Sequence, residues 1–178
     1  MGHFYFVRHG ESLWNVENKI CGKTDIDLTL KGYGQAKAAA QAIIDQQLKI
    51  DLILSSPLKR ALHTAETISS VTGIPLIVEP RLIEQDFGMY EGTARNGEEF
   101  RKAKENFICS YGNGESMLKT AHRIYSVIDE IIQKPDQVVL IAAHNGLARI
   151  IQSYFHDMSN EEFAAFGIGN AEIRRFDF

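Results

Sequence analysis

Short runs of consecutive apolar residues recur along the chain, and they are typical of β-strands that are covered on both faces. Most residues in these runs are β-branched, aromatic or long aliphatic. The runs lie at 3–7, 51–55, 75–79 and 137–143. A further segment, 170–178, alternates apolar and polar residues as an edge strand does. The pattern therefore predicts four buried strands and one strand at a sheet edge.

Between these runs, apolar residues recur every three or four positions, which predicts amphipathic helices. Thr29 is a suitable N-cap, Pro57 suits a first helical turn, and Gly73 suits a helix end. The predicted helices span 28–48, 57–73, 114–134 and 145–156. Strands that alternate with such helices predict an α/β fold, a three-layer α/β/α arrangement with a mostly parallel central sheet.

The stretch from about residue 87 to residue 116 is the least regular, because five glycines interrupt it. We expect this 87–116 segment to form a small lid or side-insertion beside the sheet. No internal repeat, low-complexity tract or linker is visible along the chain. The sequence therefore predicts a single domain over residues 1–178.

Composition and charge narrow the possible partners. Hydrophobic residues make up 44% of the chain and charged residues 24%, an ordinary globular balance. The net charge of −4 disfavours nucleic acid and anionic membranes as partners, so a phosphate-bearing ligand needs a local cluster of positive charge. Without a secretory signal, a membrane-length apolar window or a disulfide framework, the expected location is cytoplasmic, with Cys21 and Cys109 as free thiols.

Basic side chains follow three of the predicted strands. Arg8 and His9 follow the first strand, Arg60 lies one helical turn after the second, and His144 follows the fourth. In open parallel sheets, ligands bind just beyond the carboxyl ends of the strands. Two arginines and two histidines at one sheet edge indicate an anion-binding crevice.

Four motifs at these positions resemble the histidine phosphatase superfamily, the phosphoglycerate mutase-like group. They are "VRHGES", "LILSSPLKRALHTAETI", "RLIEQDFGMYEG" and "LIAAHNGLARII", and they follow one another in the family's order from residue 4 to about residue 151. The resemblance implies a phosphoglycerate mutase-like fold and phosphoryl transfer through a histidine.

The resemblance also implies roles for individual residues. His9 is the expected nucleophile, and one of its ring nitrogens should donate to a carbonyl in the Gly10 turn, where glycine allows a tight turn beside the phosphate. His144 is expected to be protonated beside a dianion, and Cys21 to fill space. The implied catalytic set is Arg8, His9, Arg60, Glu84 and His144, and the substrate-binding set is Arg8, Asn15, Gly22, Arg60, His144 and Asn145.

The family's general acid lies in a Glu-x-x-aromatic-Gly motif, which reads "EQDFG" here and points to Glu84. One carboxyl group can protonate the leaving oxygen and later accept a proton from water. Asp86 and Glu91 lie close in sequence and are the alternatives. A raised pKa of Glu84 would fit the role.

The family contains both phosphatases and mutases. Its cofactor-dependent mutases carry a long insertion between the acid motif and the second histidine, whereas Glu84 and His144 are only 60 positions apart. The expected function is therefore a metal-independent phosphatase that acts on a small phosphorylated metabolite, through phosphohistidine and without a cofactor. The alternatives are a cofactor-dependent phosphoglycerate mutase and a non-catalytic module that binds a phosphorylated ligand.

The substrate stays open among sugar phosphates, glycerates and nucleoside monophosphates, and so does the oligomeric state. Most basic residues in or near the 87–116 segment are interpreted as a solvated helix face, since acidic residues offset them; they are Arg81, Arg95, Arg101, Lys102 and Lys104. The aromatic residues are interpreted as packing rather than as a substrate wall; they are Trp14, Phe87, Tyr90, Phe107 and Tyr111. The other histidines are expected to have no catalytic part; they are His3, His63, His122 and His156.

Overall fold

The structure, a computed structural model, describes residues 2–178. Five strands form one sheet: β1 (His3–Arg8), β2 (Leu52–Ser55), β3 (Leu76–Val78), β4 (Val139–Ala143) and β5 (Ile173–Asp177). Their order across the sheet is β3-β2-β4-β1-β5. All five predicted strands are confirmed, and each observed bound lies within three residues of the predicted one.

The sheet is parallel except at one edge. The pairs β1 with β4, β4 with β2, and β2 with β3 are parallel, while β5 runs antiparallel to β1. Arg8 at the end of β1 lies opposite Ala143 at the end of β4, so the residues after these two strands emerge side by side. The predicted mostly parallel sheet with a C-terminal edge strand is confirmed.

Seven helices accompany the strands within residues 2–178: α1 (Leu13–Val16), α2 (Leu30–Asp45), α3 (Lys59–Thr72), α4 (Glu98–Ala103), α5 (Met117–Ile132), α6 (Asn145–Phe155) and α7 (Asn160–Ala165). Thr29 caps α2 as predicted, since its hydroxyl accepts from the Gly32 N–H, and Gly73 ends α3 at φ 76°. The prediction that Pro57 lies in the first turn of a helix is wrong, because α3 begins at Lys59 and its N-cap is Leu58. The three unpredicted helices have four to six residues, too few to show a period.

Helices cover both faces of the sheet. On one face, Ala40 of α2 and Ile68 of α3 pack against Val7 and Ile53. On the other face, α5 and α6 supply a second apolar cluster, which includes the fully buried Ile151. The three-layer α/β/α arrangement is therefore confirmed. Only β3 departs from the expected double cover, because it is the outer strand and its Ile77 is 55% exposed.

The 87–116 segment contains a 3₁₀ turn at Gly88–Tyr90 and helix α4, joined by loops. Four aromatic rings hold it together, with neighbouring centroids 5.3–6.3 Å apart; they belong to Phe87, Tyr90, Phe100 and Tyr111. These contacts agree with the packing interpretation for Tyr90 and Tyr111, whereas Phe87 departs from it, because its ring also lines the cavity beside His9. Among the helices of the described chain, none has the length and apolar character needed to cross a membrane.

The central strand β4 carries the core, since all five of its residues are buried. Replacing the fully buried Ile141 by alanine removes apolar contacts within the cluster that α5 and α6 supply and leaves a cavity. We expect Ile141→Ala to lower the free energy of unfolding by about 2–5 kcal/mol. Ile77→Ala, the matched change on the half-exposed edge strand, should cost about 1 kcal/mol or less. Urea unfolding followed by circular dichroism measures both, and equal losses would contradict this description of the core.

Candidate active site

His9 lies in the turn after β1 and is 5% exposed. Its backbone N–H donates to the Ala143 carbonyl, and its Nδ1 lies 2.7 Å from the Gly10 carbonyl oxygen. A carbonyl only accepts hydrogen bonds, so Nδ1 carries the ring proton and Nε2 keeps a free lone pair. This is the hydrogen bond expected from the sequence. It fixes the tautomer that a nucleophilic imidazole needs.

The structure gives a further reason why residue 10 is a glycine. A Cβ at this position would lie 2.4 Å from the Gly32 carbonyl oxygen, at the first turn of α2. The Gly10 N–H donates to Thr64 Oγ1, whose hydroxyl donates in turn to the Arg60 carbonyl. The close approach of α2, and the bond to α3, therefore hold the turn that carries His9.

Arg60 is 1% exposed and lies behind His9. Its guanidinium donates to the carbonyls of Gly22 and Thr24, at 2.6 Å and 2.8 Å. Burial is the largest cause that lowers the pKa of His9 well below its ordinary value, and the charges of Arg60 and Arg8 add to it. His9 is therefore neutral near pH 7, as a nucleophile must be.

His144 is fully buried at the N-cap of α6, with its ring centroid 5.3 Å from that of His9. Its Nε2 lies 2.8 Å from Ser56 Oγ, and its Nδ1 has no hydrogen-bond partner in the described chain. Burial, followed by the charge of Arg60, lowers the pKa of His144 well below its ordinary value. The expected protonation of His144 consequently depends on a dianion that raises this pKa again.

Glu84 is 6% exposed, and both of its carboxylate oxygens accept backbone hydrogen bonds. Oε1 accepts from the Gln85 N–H at 2.9 Å and Oε2 from the Gly146 N–H at 3.0 Å. A Cβ at residue 146 would lie 2.4 Å from Oε1, so only glycine allows this approach. Burial raises the pKa of Glu84, although the two hydrogen bonds and Arg60 oppose the shift.

The two alternative acids have other partners. Asp86 forms an ion pair of 2.6 Å with Lys23. Glu91 accepts from the backbone N–H groups of Gly22, Lys23 and Phe87, and from the Thr24 hydroxyl. It thereby fixes the loop whose carbonyls hold Arg60. The sequence reasoning missed this holding role, which only the long-range contacts reveal.

A cavity of about 130 Å³ opens beside these groups. Five predicted site residues line it, namely Arg8, His9, Asn15, Glu84 and Asn145. Arg60 and His144 lie behind the lining. Gly22 is placed differently from the expectation: it does not line the cavity, because its N–H donates to Glu91 and its carbonyl accepts from Arg60.

The amide side chains in the cavity are held by their oxygens. Asn15 Oδ1 accepts from the Ser12 N–H at 3.0 Å and from Asn170 Nδ2 at 3.3 Å. Asn145 Oδ1 accepts from the Ile168 N–H at 2.8 Å. The amide nitrogens of Asn15 and Asn145 are consequently the atoms left to donate to a ligand.

Three further basic residues line the cavity, and the sequence reasoning assigned none of them to the site; they are Arg95, Lys104 and Arg149. The interpretation as a solvated face is therefore wrong for the half-buried Lys104, whereas Arg95 is exposed and also lines the cavity. This interpretation fits Arg101 and Lys102, which are exposed, while Arg81 pairs with Glu79 and Glu130. Arg149 had a usable signal, because it follows Asn145 by four positions and shares its helix face.

Cys21 and His63, which were expected to take no part in catalysis, have identifiable surroundings. Cys21 lines the cavity, and burial raises the pKa of its thiol to about 11, which keeps it protonated and agrees with a space-filling role. His63 does have partners, since its Nδ1 lies 2.7 Å from Asp27 Oδ1 and 2.8 Å from the Tyr33 hydroxyl. These three side chains do not line the cavity. Across residues 2–178, no three potential metal ligands lie together.

Comparison with known proteins places the chain in a family. The family model described as "Histidine phosphatase superfamily (branch 1)" matches residues 4–178. Phosphoserine phosphatase 1 of Hydrogenobacter thermophilus is 32% identical over 173 residues, which cover 93% of this chain and 81% of the relative. A 2,3-bisphosphoglycerate-dependent phosphoglycerate mutase of Cytophaga hutchinsonii is 30% identical, covering 97% of this chain and 85% of the relative.

The fold has solved counterparts as well. A mycobacterial glucosyl-3-phosphoglycerate phosphatase superimposes with a TM-score of 0.86 at 27% identity. The superposition covers 98% of this chain and 90% of the mycobacterial chain. The architecture described above is thus shared over nearly the whole length of both proteins.

The lowered pKa of His9 makes stability depend on pH. A histidine with a depressed native pKa stabilises the fold above its unfolded pKa of about 6.5, and this contribution is lost as the pH falls toward the native value. The loss is at most about 1.4 kcal/mol per pH unit. We therefore expect the free energy of unfolding to fall less steeply from pH 7 to pH 5.5 in His9→Gln than in the original chain. Parallel slopes in urea titrations would contradict the buried neutral imidazole.

Proposed function

The chain belongs to the histidine phosphatase superfamily, and on this premise we propose that it is a metal-independent phosphatase of small phosphate monoesters. The phosphatase relatives support this reaction at the level of the family. The observation that carries the proposal is the state of His9, whose Nδ1 is tied to the Gly10 carbonyl. Its Nε2 therefore offers a lone pair beside buried cations.

In the first half-reaction, His9 Nε2 attacks phosphorus and the bond from phosphorus to the ester oxygen breaks. Glu84 in its protonated form donates a proton to the departing oxygen, so an alcohol leaves and the phosphoryl group stays on His9. The raised pKa of Glu84 supports this acid role. The Gly146 N–H holds the carboxyl group in place throughout.

In the second half-reaction, the Glu84 carboxylate takes a proton from water while the water oxygen attacks phosphorus. The bond between phosphorus and His9 Nε2 breaks, and inorganic phosphate leaves. Both His9 and Glu84 then return to their starting protonation states. One carboxyl group acts as acid and then as base, as microscopic reversibility of proton transfer permits.

Arg8 and Arg60 stabilise the charge on the phosphoryl oxygens during both steps. His144 donates to the same group once the dianion has raised its pKa, and the amide nitrogens of Asn15 and Asn145 donate as neutral partners. Gly22 acts indirectly, because its carbonyl positions Arg60. These side chains are held in position before the substrate arrives, so apart from the protonation of His144 little reorganisation accompanies the reaction.

A mutase is the second candidate, because one relative is a 2,3-bisphosphoglycerate-dependent phosphoglycerate mutase. Hydrolysis is favoured by the short distance in sequence from Glu84 to His144 and by the acid motif, where Asp86 adds a negative charge. A requirement for 2,3-bisphosphoglycerate, with isomerisation faster than hydrolysis, would favour the mutase. Failure to form phosphohistidine with a broad substrate panel would instead favour a binding module.

The first test concerns the nucleophile. We expect the chain to hydrolyse p-nitrophenyl phosphate in excess EDTA, and His9→Ala to lower kcat by about 10⁴-fold or more, since the nucleophile is lost. Circular dichroism checks the fold of the variant. His122→Ala, a change at an exposed position on α5, is the matched control and should keep full activity. Normal turnover by His9→Ala would overturn the assignment.

The second test separates Glu84 from Asp86. Alanine is preferred at residue 84, because a glutamine NH₂ would face one of the two backbone N–H groups that bind the carboxylate. The nitrophenolate of p-nitrophenyl phosphate leaves without help from an acid, so the first step should survive in Glu84→Ala. The second step needs the missing base, so the variant should show a burst of nitrophenolate followed by slow turnover. Steady-state turnover should fall by about 10²–10⁴-fold, and labelled phosphohistidine should accumulate. The control Asp86→Asn should show neither effect, and the reverse result would make Asp86 the acid.

A further inference from the structure

Arg95, Lys104 and Arg149 line the cavity but have no part in the phosphoryl transfer proposed above. Two of them belong to the 87–116 segment and the third to α6. Arg95 lies in the loop after the 3₁₀ turn of the 87–116 segment, Lys104 is the C-cap residue of α4, and Arg149 lies on α6. Three cations brought to one cavity by different parts of the chain require an electrostatic explanation.

Neutral groups hold two of these cations in place. The Arg95 guanidinium donates to the Lys19 carbonyl at 3.1 Å. The Lys104 ammonium lies 5.1 Å from the centroid of the Phe100 ring, and Phe100 itself is buried in the cavity wall. Both contacts orient a charge without cancelling it.

Arg149 is held in a similar way, with its guanidinium carbon 5.9 Å from the centroid of Phe163. Its Nε is buried and has no hydrogen-bond partner in the described part of the chain. Over residues 2–178, no carboxylate lies within 4.0 Å of a basic nitrogen of Arg95, Lys104 or Arg149. The half-buried Lys104 and Arg149, and Arg95 at the exposed side of the cavity, are thus positioned without a carboxylate partner.

A surface lysine in the same helix shows the contrast. The Lys102 side chain is 68% exposed and pairs with Glu98 at 2.8 Å, an ordinary arrangement one helical turn apart. Lys104 is less exposed, and the pKa of its ammonium is lowered by burial first and then by the charges of Arg149 and Arg95. Lys104 is therefore repelled by two neighbouring positive charges, whereas Lys102 is paired with a carboxylate.

The balance of charge in the cavity points to an anionic ligand. Among its lining residues in the described chain, Glu84 is the one carboxyl group, and burial raises the pKa of Glu84 toward the neutral form. Arg8 and Arg60 suffice for a single phosphoryl group. The remaining cations exceed what one phosphate needs, in a chain whose net charge is −4.

We propose that Arg95, Lys104 and Arg149 form a second anion subsite, and that the substrate carries a second acidic group, a carboxylate or a phosphate. This inference rests on the proposed hydrolysis at His9 and names the substrate class for it. A cavity of about 130 Å³ is small for a ligand pocket, so the second group lies within a few bonds of the scissile phosphate. A short phosphorylated acid or a small bisphosphate fits, whereas a neutral phosphorylated alcohol leaves three charges without a partner.

The experiment compares substrates of one carbon skeleton. 3-Phosphoglycerate carries a carboxylate where glycerol 3-phosphate carries a hydroxymethyl group. Glycerol 1,3-bisphosphate carries a second phosphate at that position. We expect kcat/KM to be at least about tenfold higher for one of the two doubly acidic compounds than for glycerol 3-phosphate, as charge-assisted hydrogen bonds imply. Whichever compound shows the preference identifies the second group as a carboxylate or a phosphate.

The variants Lys104→Gln and Arg95→Gln should each reduce this preference by about tenfold. Lys102→Gln, on the same helix as Lys104, is the matched control and should leave the preference unchanged. If the original chain hydrolyses p-nitrophenyl phosphate but the ratio of kcat/KM values is the same in Lys104→Gln, Arg95→Gln and the original chain, the second subsite alone is overturned. Loss of all hydrolysis by the original chain would instead overturn the proposed function, so the two failures are distinguishable.

Discussion

The buried charge of Arg60 is the interaction on which the rest of the site depends. A guanidinium removed from water costs several kcal/mol unless its N–H groups are satisfied. Here the backbone carbonyls of Gly22 and Thr24, rather than a carboxylate, accept from its two terminal nitrogens, while its buried Nε has no partner in the described chain. The guanidinium is therefore stabilised but keeps its full positive charge, which lowers the pKa of His9 and would attract a phosphoryl group. A carboxylate partner for Arg60 would have removed both effects.

This arrangement requires parts of the chain that are distant in sequence to approach closely. Glu91 binds the N–H groups of the same loop that binds Arg60 through its carbonyls, so the loop is fixed from both sides. Two glycines set the remaining distances, Gly10 against the first turn of α2 and Gly146 against Glu84. The positions of His9 and Glu84 are thus consequences of backbone contacts, which a side chain at either glycine would disrupt.

The site residues that could be predicted from the sequence are those that directly follow a predicted strand. Arg8, His9 and His144 follow apolar strands directly, so the parallel sheet brings them to one edge. The basic residues of the 87–116 segment could not be assigned in this way, because α4 has only six residues and its neighbours are loops. In such a segment, Lys102 and Lys104 look equivalent in sequence although one is exposed and the other lines the cavity. Contacts over long distances in sequence decide the difference.

The cations of the site therefore form two groups, which differ in the contacts that hold them. Arg60 is fixed inside the sheet-and-helix core, where little water screens its charge, so it acts strongly on whatever lies against His9. Arg95 and Lys104 belong to a segment held mainly by aromatic contacts, nearer to solvent. Because interactions there are weaker and depend more on exact position, these residues suit a choice between ligands better than they suit the bond-breaking step. In the proposed reaction, the core thus determines the bond-breaking step, and the 87–116 segment contributes to the choice of phosphate ester.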